Sequence, residues 1–255
     1  MKKFVFVLLC LVMGGVLLAD IDKGQVRQLV DTYKNSVLQI RVIINTWSVF
    51  QGQESNKQEE KYEVDATVID KNGTLVTSAY AVDPSKLFQR MFGEREYQMK
   101  SELKELKIIF PDNKEIDGKV VLRDDKLDLV FIRPKSAEGI QFQNIDLDNS
   151  IEPELLDEVI YLQRLGEKVD RAIYVSLTRI AAIITKPRIY YLAMGSNDLS
   201  PGALVFSPDG KLIGINTIRI LDMEGSSSSF SSESPFMQVI LPAKAIKEIA
   251  SQIKE

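Results

Sequence analysis

Ser200 closes a loop of small and polar residues, Gly195-Ser196-Asn197-Asp198-Leu199-Ser200, and leads into the apolar run Ala203 to Phe206. A second apolar run, Leu212 to Ile215, follows after Ser207-Pro208-Asp209-Gly210. Turn residues between two short apolar runs read as a hairpin, so the serine stands at the mouth of a strand pair. A hydroxyl in such a place is a candidate nucleophile, but a weak one until a neighbouring base takes its proton. The commonest such base is missing, because the 255 residues include no histidine. The commonest metal-binding imidazole is missing with it. The single cysteine, Cys10, lies in the N-terminal apolar segment, so no internal disulfide is expected. No metal and no cofactor is expected either.

The elements that must position this loop can be read in order. Val26, Leu29, Val30 and Tyr33 follow helical spacing within residues 21–35. Ser36 to Ile44 reads as a strand, and the polar stretch 51–61 as an exposed loop. Glu63 to Ile69 and Thr74 to Thr77 flank Asp70-Lys71-Asn72-Gly73, a strand–turn–strand signal. Residues 84–106 mix apolar and charged side chains after Pro84 and read as a helical insertion with a solvated face. Three strands follow at Leu106–Phe110, Glu115–Leu122 and Leu129–Ile132, then a connector at 135–153. Further strands are expected at Glu158–Leu162, Ala172–Ile184, Ile189–Met194 and Phe236–Leu241. The stretch 225–235 is low in complexity. Pro242 opens a helix to residue 254, with Ala245, Ile246, Ile249, Ala250 and Ile253 on one face. Many short strands with regular turn signals imply an all-β barrel protein.

Four segments, in the right order, resemble the trypsin-like serine proteases, and within them the Do/HtrA branch. Leu199-Ser200-Pro201-Gly202-Ala203-Leu204-Val205 with Ile213-Gly214-Ile215-Asn216-Thr217 resembles the family's nucleophile loop, Gly-Asn/Asp-Ser-Gly-Gly-Pro-Leu-Val, and the hairpin after it. The run from Asp65 to Asp83 resembles Gly-Ser-Gly-Val/Phe-Ile-Ile-x-x-x-Gly-x-Ile-Leu-Thr-Asn-x-His-Val-Val, with Tyr80 on the histidine. Gly118 to Ile132 resembles the segment that carries the family's aspartate, which falls on Asp128. Phe236 to Ile253 resembles the family's last strand and helix. The resemblance covers roughly residues 36–254. It implies two six-stranded antiparallel β-barrels with short N- and C-terminal helices. The first barrel would span about 36–134 and the second about 154–241, ahead of the helix at 242–254. It runs out where a family PDZ domain would begin, so none is expected.

The same resemblance argues against catalysis. In the triad an imidazole takes the serine proton and returns it to the leaving group, while aspartate holds the ring. Tyr80 cannot do this, because a phenol titrating near 10 is neutral at pH 7. The family's oxyanion donors are the amides of the serine and of the glycine two residues earlier, which here is Asp198. A carboxylate there would repel the developing charge. Pro201 stiffens the turn before Gly202. Tyr80, Asp128 and Ser200 are thus read as a remnant triad, and Asp198, Pro201 and Gly202 as a remnant oxyanion loop. An active endopeptidase with a non-histidine base, such as a lysine, is the alternative.

Residues 1–19 read as a secretory signal: Lys2 and Lys3, then an apolar run from Phe4 to Leu18 of 15 residues, then Ala19. That run is short of the roughly 20 residues needed to span a bilayer, and membrane attachment is expected only if the segment stays uncleaved. Loss of the two lysines takes the net charge from −4 to −6, with 30 basic against 36 acidic residues. A mildly acidic chain without a basic stripe argues against nucleic acid as partner. The expectation is an exported, periplasmic pseudoprotease, residues 20–255, with a protein or peptide partner in the cell envelope or a structural place in an assembly there.

Overall fold

A computed structural model of the chain describes residues 22–92, 97–195, 199–220 and 236–254. The expected signal segment 1–19, Asp198 and the stretch 225–235 lie outside these residues. Helix α1, Lys23–Tyr33, starts on Asp22, whose carboxylate accepts the Gly24 amide at 2.7 Å. An acidic N-cap satisfies one of the amides that a helix start leaves free.

The first barrel contains β1 (Val37–Phe50), β3 (Gln58–Val68), β4 (Leu75–Ser78), β5 (Tyr97–Ile109), β6 (Glu115–Asp124) and β7 (Leu129–Pro134). A two-residue strand, β2 (Gln53–Glu54), hangs on the end of β1. The order β1-β3-β4-β7-β6-β5 closes because β5 also pairs with β1. Period-two alternation explains the closure. Leu38, Ile40, Val42 and Ile44 of β1 all face one core, with Ala66, Val68, Leu75, Ile108, Val130 and Ile132.

The second barrel closes in the order β10-β13-β12-β11-β8-β9. Its strands are β8 (Glu158–Arg164), β9 (Ile173–Ile184), β10 (Tyr190–Ala193), β11 (Leu204–Phe206), β12 (Leu212–Ile220) and β13 (Phe236–Pro242). Val159, Tyr161, Tyr191, Val205, Ile213 and Ile240 fill it. A third apolar cluster joins the barrels: Phe131, Leu129 and Val76 from the first meet Leu162, Leu204, Phe206 and Leu241 from the second. Helix α4, Ala243–Ala250, packs Ile246 and Ile249 onto this cluster. The fold is therefore all-β, two closed six-stranded antiparallel barrels with few short helices, as the sequence implies.

Two expectations are corrected. The helical insertion at 84–106 is helical only at its start, as α3, Pro84–Phe92, after the one-turn α2, Ala79–Val82. From Tyr97 the chain is the long strand β5. The stretch 51–61 is exposed as expected, but only 51–52 and 55–57 are irregular, while 53–54 form β2 and 58–61 begin β3. Both errors have one cause. β1, β3 and β5 run on past the barrel as a ribbon that encloses no core, so no apolar alternation marks these residues as strands. Register with β1 and cross-strand ion pairs hold them, such as Lys57–Glu102 at 3.0 Å and Lys100–Glu54 at 3.3 Å. A backbone ladder forms wherever a partner strand is presented, whatever the side-chain period. At the other end, Pro242 closes β13 and caps α4, which ends at Ala250 rather than 254.

Candidate functional site at the barrel junction

Asp128 sits just before β7, with φ +57°. Asp is among the few side chains that tolerate this left-handed backbone. Its carboxylate is 2% exposed and fully engaged. Oδ1 accepts the Tyr80 amide at 2.7 Å. Oδ2 accepts the Ser78 hydroxyl at 2.6 Å and the Ile218 amide at 2.7 Å. Ile218 belongs to β12, so this carboxylate ties the second barrel to the first. Burial pushes its pKa up to about 7, and the three donors pull back against that rise.

Tyr80 lies in α2 and is 3% exposed. Its contact with Asp128 runs through the backbone amide, not the phenol as the resemblance to an aspartate–histidine pair would suggest. The phenol donates to the Asp125 carbonyl at 2.9 Å and accepts from Arg90 Nη1 of α3 at 2.9 Å. Burial raises the phenol above its ordinary pKa, with Arg90 opposing. A neutral phenol aimed at a carbonyl takes no proton from a serine.

The nucleophile loop is built on a Pro-Gly turn. The Ala203 amide reaches the Ser200 carbonyl at 3.1 Å across Pro201 and Gly202, and Gly202 has φ +90°. Proline then glycine is the preferred pair for a turn whose third residue needs positive φ. Glycine is also required sterically, because a Cβ at 202 would stand 2.1 Å from the Asp65 carbonyl oxygen. Thr67 Oγ1 donates to the Gly202 carbonyl at 3.3 Å, a second tie between barrels. Asn216 Nδ2 donates to the Leu199 and Ser200 carbonyls at 3.3 and 3.2 Å and to Gln238 Oε1 at 2.6 Å.

Two residues not singled out in the sequence complete the site. Gln163 of β8 places Oε1 2.8 Å from the Ser200 amide, which donates to it. Asp65 of β3 is 1% exposed and receives the Arg164 amide at 3.2 Å, with Gln39 Nε2 at 3.5 Å. The Ser200 hydroxyl lies near enough to this carboxyl group to hold its pKa down somewhat. Burial outweighs these donors and pushes Asp65 up to about 7. Ser200 Oγ further reaches the Pro201 carbonyl at 3.2 Å. No lysine is among the partners of Ser200 in the described residues. Asp65 was open to detection, since it stands where the resembled segment has its first glycine; Gln163 belongs to no motif.

Around this point the junction is densely hydrogen-bonded. Arg164 donates to the Val37 carbonyl at 3.0 Å, to the Arg171 carbonyl at 2.9 Å and to the Lys34 carbonyl. Arg171 donates to Asn113 at 2.8 Å, to Gln39 and, with both terminal nitrogens, to Glu63. Arginine suits this role because its planar fork can satisfy several acceptors at once. Among the described residues, no group of three or more Asp or Glu side chains is arranged to hold a metal ion.

Two closed six-stranded barrels, with a serine on a Pro-Gly turn and the buried acids Asp65 and Asp128 at their junction, define the trypsin-like double-barrel class. The trypsin-like peptidase domain model matches residues 65–215, more than half of the chain, and the chain belongs to that family. The matched span contains Asp65, Tyr80, Asp128, Gln163 and Ser200. Among curated proteins, none shows significant similarity to the chain.

Proposed function

We propose that this chain is a catalytically inactive member of the trypsin-like family, of Do/HtrA type, exported to a periplasm and acting there by binding protein or peptide. The observation that carries the reading is the Ser200 amide. In this mechanism that N–H stabilises the oxyanion, and here Gln163 Oε1 accepts it at 2.8 Å. The position taken by histidine in the resemblance holds a phenol engaged with the Asp125 carbonyl and Arg90. Losing the base alone costs on the order of 10⁴- to 10⁶-fold in rate. The purified protein should neither hydrolyse casein nor take a fluorophosphonate label. Labelling that disappears in Ser200→Ala overturns the reading.

One observation favours a second reading, an active enzyme with a carboxylate base. Asp65 lies beside the Ser200 hydroxyl, and burial pushes its carboxyl group up to about 7, near the working range of a general base. The same label separates the two: activity abolished by Asp65→Asn as well as by Ser200→Ala supports the carboxylate base.

A further inference from the structure

The barrels expose strand edges of two kinds. β3 pairs with β4 only at Thr67 and Val68, so its outer edge runs free from Gln58 and carries Glu59, Glu60 and Lys61. β5 pairs with β6 only from Lys107 to Ile109, and its edge carries Lys100, Glu102, Lys104 and Glu105. Charge on an edge is the usual guard against adding another strand. β9 differs. It pairs with β8 along Ile173–Arg179, but β10 covers it only from Ile180 onward, with one further bond from the Met194 amide to the Arg179 carbonyl at 2.9 Å.

The direction of the free groups follows from parity. The Leu165 amide bonds the Ala172 carbonyl, and the Ile180 amide bonds the Asp157 carbonyl, each at 2.9 Å. Even-numbered residues of β9 thus face β8. The unbroken register between them turns the amides and carbonyls of Ile173, Val175 and Leu177 the other way. Among the described residues these groups have no hydrogen-bond partner. No charged residue occurs from Ala172 to Thr178. Tyr174, Leu177 and Met194 around the edge are 42%, 50% and 48% exposed. Tyr174 lies directly opposite Gln163 and so shares its face of the sheet, beside the residue that caps Ser200.

We propose that the β9 edge at Ile173–Leu177 binds an extended, uncharged peptide segment with alternating apolar side chains, by strand addition. This rests on the binding role proposed above and gives that role a defined edge. Three free rungs at alternate residues match the backbone of an extended chain, whose side chains would meet Tyr174 and Ser176 on one face and Leu177 on the other. A second copy of this chain fits less well. Five residues span about 17 Å, too little to bury the roughly 800 Å² per partner of a stable interface.

The probe is the capped peptide Lys-Thr-Val-Thr-Val-Thr-Lys, with a version N-methylated at alternate residues as control. Amide exchange read by NMR on the purified protein should show Ile173, Val175 and Leu177 protected by the probe and unaffected by the control. Val175→Pro removes one free donor at an edge position where proline is tolerated. Leu177→Lys restores the charge guard. Each should weaken binding at least tenfold, and Leu177→Lys, at a half-exposed position, should do so with the unfolding midpoint unchanged. The proposal falls if the probe does not bind, or if both variants bind as well as the parent. It falls equally if these amides are protected without the probe, whether by another part of the chain or by a dimer seen in sedimentation. Repeating the titration with Ser200→Ala keeps the question apart from catalysis. Edge binding that survives alongside serine labelling of the parent would refute inactivity and leave this site standing.

Discussion

Asp65 and Asp128 are both almost completely buried, both lie at the barrel junction and both are pushed up to about 7, yet they are solvated very differently. Asp128 has three donors within 2.7 Å, two of them backbone amides that are fixed in place. Asp65 has one backbone amide at 3.2 Å and a glutamine at 3.5 Å, with the Ser200 hydroxyl nearby. The difference separates two uses of a buried acid. Asp128 is a strut: the fold aims donors at it from both barrels, and they would be orphaned without it. Asp65 is an acid placed next to a serine with little to stabilise its charge.

The largest effect should come from breaking the strut. Asp128→Ala leaves the Ser78 hydroxyl and the Tyr80 and Ile218 amides buried without an acceptor. At about 1–3 kcal/mol for each buried group left unpaired, the loss should be roughly 3 kcal/mol or more. Urea unfolding measures it, and a loss below about 1 kcal/mol would mean that the donors find other partners.

A middle effect concerns pH. Each aspartate binds its proton more tightly folded than unfolded, so from the ordinary carboxylate range up to about 7 the folded state holds more protons. Stability should therefore fall as pH rises from 5 to 7, by up to about 1.4 kcal/mol per unit for each acid. Carboxylates held low by partners, such as Glu63 between Arg171 and Arg41, act the opposite way but at lower pH. Asp65→Asn should remove one proton from that slope and be at least as stable as the parent at pH 8, because it buries no charge. A parent whose stability is flat from pH 5 to 7 would show that neither aspartate titrates as described.

The smallest effect is at Gln163. Gln163→Ala frees the Ser200 amide and deletes one hydrogen bond, at about 1 kcal/mol. It should create no peptidase activity, because no base replaces the phenol at Tyr80. Casein hydrolysis by this variant would mean that the glutamine alone had been holding the site closed, and that Asp65 can serve as its base.

Residue types and their spacing carried much of this. Period-two apolar runs and turn residues such as Asn72-Gly73 and Asp209-Gly210 are local signals, and a barrel strand must alternate to face its core. They were enough for an all-β barrel protein, while the pair of six-stranded barrels was implied by the family resemblance and the missing imidazole was plain from composition. Tertiary structure alone decided the rest. The strand at Tyr97–Leu106 carries no core-facing period and exists because β1 offers it a ladder. The direction of the Tyr80 phenol depends on Arg90 of α3 and the Asp125 carbonyl. Gln163 meets Ser200 because β8 pairs with β11 within the second barrel, and Asp65 of the first barrel comes near Ser200 only because the two barrels pack together. The charge of a buried acid depends on which donors surround it, and those donors are brought together from strands far apart in the chain.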